Sequence, residues 1–187
     1  AVIEKIETHL KDKATDTAEI IDGRITAFFQ FLEGIARMPL LIDPTVPYQE
    51  KINQLNKEAS VNTKIEQLNL YDPSGMRTTS DGRIVSVQDR AWFQAVRAGN
   101  NFVSEPLIAR STNKWVIIFA VPVYDNNRKI LGILNCVVDG LQLSEEIKDI
   151  VVGQTGYCYI LNEAGTVIAH RNFSLVEMQE NSQEKAK

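Results

Sequence analysis

The sequence predicts an α+β fold in which one long amphipathic helix precedes an antiparallel sheet decorated by short helices. Three observations carry this. Apolar residues recur at helical steps of three and four from Val2 to Met38. Past residue 63 the period changes to runs rich in β-branched residues, bounded by turn signals. Two of those runs, "WVIIFAVPVYD" and "ILGILNCVVD", are joined by "NNRK" and read as a hairpin.

The first helix is marked by Ile3, Ile6, Leu10, Ala14, Ala18, Ile21, Ile25, Phe28, Leu32 and Ile35. At 1.5 Å per residue it extends on the order of 55 Å, more than a small domain is wide. Part of it must therefore pack outside its own core, a second copy being the simplest partner, unless it kinks at Gly23 or Gly34. "RMPLLIDPTVP" ends it with three prolines, and "YQEKINQLNKEAS" is a second amphipathic helix. "KIEQLNLYD" and "GMRTTS" follow as strands, punctuated by "DPSG" and "SDG". A short helix over Asp89 to Ala98 and the connector "GNNFVSEPLIARSTN" separate them from the hairpin. A third helix, Leu141 to Val151, leads into "GQTGYCYILNEAGTVIAHRN", two strands turned at "EAG". This last pattern repeats the plan of "NLYDPSGMRTTS" and reads as the opening hairpin of a second unit; a lone hairpin is marginal in water, so that unit is incomplete or leans on the first.

The 187 residues, 44% of them hydrophobic, suffice for a real core. A net charge of -4 without a basic stripe argues against nucleic acid as a partner. Apolar runs of about ten residues are too short to cross a bilayer. Cys136 and Cys158 lie inside strand-like runs without metal-ligand spacing and read as buried free thiols. The opening "AVIEKIETHL" begins in mid-helix and the polar "NSQEKAK" closes the chain, the pattern of a piece cut from something longer, with membrane segments in the flanks.

No arrangement for catalysis emerges. His9 and His170 stand at opposite ends of the chain without a metal-ligand pattern, and "GQTG" precedes a strand rather than opening a helix. The expectation is a non-enzyme with no metal and no cofactor. Binding fits better. In "DRAWFQAV", Arg90 precedes Trp92 and Phe93, while Asp139 ends the second hairpin strand. A guanidinium holds a carboxylate bidentately; a carboxylate and an aromatic face suit an ammonium. Together they describe a trap for a zwitterion. Each residue also has a plain structural reading: Asp139 capping the helix that follows, Arg90 pairing with Asp89, Trp92 and Phe93 filling the core.

The long helix, "LYDPSG", "DRAWFQAV", "FVSEPLIARSTNKWVIIFAVPVYD", "ILGILNCVVDG" and "GQTGYCYILNEAGTVIAH", taken in this order, resemble the double Cache sensor domains of bacterial chemoreceptors and sensor kinases. The resemblance implies two PAS-like modules along a long N-terminal helix. Residues 1–38 are then the signalling and dimerisation helix, 39–140 the membrane-distal ligand-binding module, and 141–187 a linker helix with a truncated membrane-proximal module. It also implies a homodimer, an extracytoplasmic location and a ligand that is an amino acid or related zwitterion. An amino-acid-binding subset of the family carries an arginine and a tryptophan for the ligand carboxylate and an aspartate for its amine, which Arg90, Trp92 and Asp139 match. The subset's tyrosines are replaced here by Val85, Phe93 and Leu107. The loss of three hydroxyls points to weaker affinity or to a different ligand, such as a small carboxylate or an amine. A protein-docking module without a small ligand is the reading from another class.

Overall fold

The computed structural model describes residues 2–79 and 81–179. The first helix, α1 (Val2–Ala36), runs unbroken through Gly23 and Gly34, and a Cβ added at either glycine would meet nothing within 4 Å. Both are open surface positions. Two compact units are present: one takes the first part of α1 with Ile108–Trp115 and the chain from Gly140 onward, the other takes Phe28–Leu107 with Val116–Asp139.

The larger unit holds α2 (Pro39–Ile42), α3 (Tyr48–Val61), β1 (Ile65–Tyr71), β2 (Met76–Thr78), β3 (Ile84–Ser86), α4 (Ala91–Arg97) and β4 (Phe102–Val103). Then come β5 (Leu107–Ile108), β6 (Trp115–Tyr124) and β7 (Ile130–Asp139). The sheet runs β1-β7-β6-β4, with β5 also on β6, and β6 and β7 are the expected hairpin. Strands β3, β4 and β5 have only two or three residues each, too few for an alternation to show, so the sequence read them as turn and connector.

Register divides the sheet into two faces, because successive side chains alternate. Leu68, Leu70, Leu134, Cys136 and Phe119 share one face, on which the rings of Phe28 and Phe29 from α1 meet Phe119 at 4.6 Å and 5.4 Å. The other face carries Asn69, Tyr71, Ile133, Asn135, Val137 and Asp139 from β1 and β7, with Val116 and Ala120 from β6. Helix α4 lies against β4 and β7. Ile118 exchanges hydrogen bonds with Ser104 toward the β4 side, so Pro122, four residues on, also turns its nitrogen that way, beyond the end of β4.

One turn design recurs. The side chains of Asp72, Asp125 and Asn162 each accept the amide four residues on, and the residue at the fourth position has a positive φ: Gly75 (83°), Arg128 (62°) and Gly165 (82°). An Asx acceptor with a left-handed residue closes such turns at little strain when that residue is glycine.

In the smaller unit, α5 (Gln142–Ile147) stops four residues before the expected end, since Val151–Val152 forms β8 against β9 (Gly156–Tyr157). The hairpin at "EAG" is present as β10 (Ile160–Leu161) and β11 (Val167–Ala169), followed by α6 (Ser174–Glu177). Ile147, Ala169 and Val176 form its core beside buried His170, whose Nδ1 accepts the Asn172 amide at 2.8 Å. His9 is exposed on α1. Both cysteines are free; Cys136 is buried, which pushes its thiol up to about 12, whereas Cys158 is only half-buried between β9 and β10.

Candidate functional site

The second face of the larger sheet is covered by a turn and a helix whose positions the local sequence dictates. Asp72 Oδ1 accepts the Ser74 amide (2.8 Å), the Ser74 hydroxyl (2.7 Å) and the Met76 amide (3.0 Å). Burial works to raise the Asp72 carboxyl, but these bonds outweigh it and hold it below the usual range. The turn brings Gly75 under the ring of Phe93, so that a Cβ there would lie 2.8 Å from Cε2. Phe93 is 1% exposed and is thereby the bolt between turn and helix.

Helix α4 begins behind that bolt. Arg90 is its N-cap in extended conformation (φ -86°, ψ 134°), accepting the amides of Phe93 and Gln94 on its carbonyl while its side chain makes no cap bond. Arg90 is half-buried, and its guanidinium makes no hydrogen bond or ion pair with a described residue; the pairing with Asp89 is not formed. Trp92, 7% exposed, stands edge-on to Tyr71 at 5.6 Å and to Phe93 at 6.4 Å.

From Tyr71 the polar groups continue along the sheet. Arg77 Nε donates to the Tyr71 hydroxyl at 3.3 Å, and the guanidinium sits 5.6 Å from the centre of that ring. Two residues back on the same face, Asn69 Nδ2 donates to Asn135 Oδ1 at 3.1 Å, and both asparagines are buried. No buried side-chain nitrogen or oxygen among the described residues lacks a partner. The outer amide atoms, Asn69 Oδ1 and Asn135 Nδ2, make no other bond and therefore border accessible space on the face that carries Tyr71.

Asp139 is exposed at the end of β7, opposite Val116. It is not the cap of α5: Leu141 holds that position, and no side-chain cap bond is made. Leu107 is half-buried in β5, and Val85 sits directly across from Arg77 in the β2–β3 ladder. The structure thus joins Trp92, Phe93, Tyr71 and Arg77 in one chain of contacts. Arg90 heads the same helix, and that helix lies against the strand that Asp139 ends. Sequence reasoning passed over Tyr71, Arg77, Asn69 and Asn135. One signal was present: Asn135 is the sole uncharged polar side chain in the ten residues of β7.

An open groove of about 740 Å³ also lies beside β1, lined by Tyr48, Lys51, Tyr71 and Asp72 among others. There the polar groups already serve the fold, with Lys51 donating to the Leu41 carbonyl at 2.9 Å and the Tyr48 hydroxyl to Leu70 at 2.9 Å. No three His, Cys, Asp or Glu side chains among the described residues are grouped to hold a metal ion. No helix of the described residues is long and apolar enough to cross a membrane.

Known proteins share this architecture. The ligand-binding domain of the chemoreceptor CtaA from Pseudomonas fluorescens, in complex with L-isoleucine, superposes with a TM-score of 0.73 at 16% identity, covering 94% of this chain and 73% of that one. The ligand-binding domain of the amino-acid chemoreceptor PctC from Pseudomonas aeruginosa PAO1, in complex with GABA, gives 0.72 at 21% identity, covering 96% and 80%. In sequence, 87 residues are 32% identical to the methyl-accepting chemotaxis protein McpB of Bacillus subtilis (strain 168), covering 46% of this chain. The chain spans only 12% to 27% of the length of the chemotaxis proteins it matches. Residues 1–186 match the family model described as Cache domain, and the chain belongs to that family.

Proposed function

We propose that this chain is the extracytoplasmic sensor domain of a transmembrane chemoreceptor and that it binds a small amino acid or related zwitterion beneath α4. One observation carries the reading: the guanidinium of Arg90, a half-buried residue, has no counter-ion among the described residues. A guanidinium fork with no protein partner is free to take an incoming carboxylate. In this reading Arg90 grips the ligand carboxylate, Trp92 closes over it, and Asp139 receives the amine at the rim.

Charged hydrogen bonds contribute about 1.5 to 3 kcal/mol each and a cation over a ring about 0.5 to 2, whereas micromolar affinity needs about 8 kcal/mol. The ligand must therefore engage several of these groups at once. The ligands seen in CtaA and PctC, isoleucine and GABA, both carry a carboxylate and an ammonium, which supports this chemistry. A small monocarboxylate or an amine is the second reading. It is favoured by Val85 and Leu107, which supply no hydroxyl, and by Phe93, which faces Gly75. Signalling would use the exposed apolar stripe of α1, Ile3, Ile6 and Leu10, against a second copy, with the membrane-spanning segments elsewhere in a longer protein.

The test is calorimetric titration with amino acids, monocarboxylates and amines. An amino acid is expected to bind and to lose at least about 100-fold in affinity in Arg90→Ala, with an unchanged circular dichroism spectrum. Equal affinity in the variant refutes the reading, and binding of an acid without an amine selects the alternative.

A further inference from the structure

Resting on the zwitterion reading and deepening it, we infer that Arg77 is a second anion-binding group of the same site, so that the preferred ligand is an amino acid with a second carboxylate. Four observations carry this. Arg77 stands cross-strand from Val85 and reaches Tyr71, whose ring contacts Trp92, so its charge lies on the same chain of contacts as the head of α4. Its one hydrogen bond to a described residue uses Nε; its charge also acts on Tyr48, but neither terminal amino group, the two prongs that fit a carboxylate, hydrogen-bonds a described residue. The two acids nearest in sequence are engaged elsewhere: Asp72 has its Oδ1 held by the turn amides, and Asp81 pairs with Arg83. The Asn69–Asn135 pair presents an amide oxygen and an amide nitrogen to open space on the face that carries Tyr71.

The charges then match in number. Arg77 and Arg90 offer two cations, one for each carboxylate of such a ligand. The small side chain of Val85 leaves room beside Arg77 where a tyrosine would crowd it. The second guanidinium is thus a specificity determinant: it adds nothing for an alkyl side chain, which must leave it unpaired.

The experiment titrates the chain with L-aspartate, L-glutamate, L-alanine and L-isoleucine, in its natural form and as Arg77→Gln and Arg90→Gln. Glutamine at 77 keeps the reach and a donor for the Tyr71 hydroxyl but removes the charge. The natural chain is expected to bind an acidic amino acid at least about 10-fold more tightly than alanine or isoleucine. Arg77→Gln should lower only the acidic ligand's affinity, by about 10- to 100-fold, while Arg90→Gln lowers all of them. Equal losses for acidic and neutral ligands in Arg77→Gln, or a natural preference for isoleucine, overturns the role of Arg77 and leaves the zwitterion reading standing. Unaltered binding of every ligand in Arg90→Gln, or no binding of any amino acid to the natural chain, overturns both.

Discussion

Replacing Gly75 by alanine should unlatch the face that bears the candidate site, and the cost can be worked from geometry. At φ 83° a side chain costs about 1 to 2 kcal/mol, because a Cβ crowds the adjacent carbonyl in the left-handed region. The added methyl would also lie 2.8 Å and 2.9 Å from Cε2 and Cζ of Phe93, well inside the roughly 3.5 to 4.0 Å at which carbons rest. Phe93 is 1% exposed and braced by Trp92, so it has nowhere to turn, and overpacking of this kind costs about 1 to 3 kcal/mol. The total is about 2 to 5 kcal/mol. Gly82 is the control: its φ is 81°, but no atom lies within 4 Å of the added Cβ, so Gly82→Ala should lose only the backbone share of about 1 to 2 kcal/mol. Urea denaturation followed by tryptophan fluorescence measures both. If the two variants lose the same stability, the ring does not press on the turn and the account of Phe93 as its bolt is refuted.

Two further outcomes are expected. With iodoacetamide at pH 8, Cys158 should be alkylated in the native protein while Cys136, buried and with its thiol pushed up to about 12, stays unmodified until urea unfolds it; peptide mass analysis reads both, and equal rates would contradict the burial. Asp72, whose carboxyl is held below its ordinary value, adds stability that is present above about pH 4 and lost as pH falls through the lowered value. Asp72→Asn should therefore flatten the acid limb of a stability curve measured from pH 5 to pH 2, and an unchanged limb would count against the turn bonds.

Long periodic signals were legible and short ones were not. The helix α1 and the hairpin β6–β7 have 35 and ten residues per element, enough for a step of three to four or an apolar run to declare itself. Strands β4 and β5, at two residues each, borrow their order from β6, so nothing in "NFVSEPLIA" alone announces them. The asymmetry extends to the candidate site. Arg90, Trp92 and Asp139 were visible because charge and aromatic lie close in one stretch or end a strand. Tyr71 and Arg77 were not, since their meeting depends on the Asp72 turn folding one strand back toward the other. Asn69 and Asn135 are 66 positions apart, and only the register of β1 on β7 makes them a pair.

Pro122 has a consequence for how far its own sheet can grow. Its nitrogen faces past the end of β4, toward the stretch of β6 that no strand covers, and it carries no hydrogen to give. A strand lengthening β4 along β6 would find a missing rung at its first step. Pro122 is itself buried, so the interruption limits the chain's own pairing rather than shielding an open edge. The pairing of β4 on β6 thus stops at Phe102, and the chain before it is released to turn back into α4.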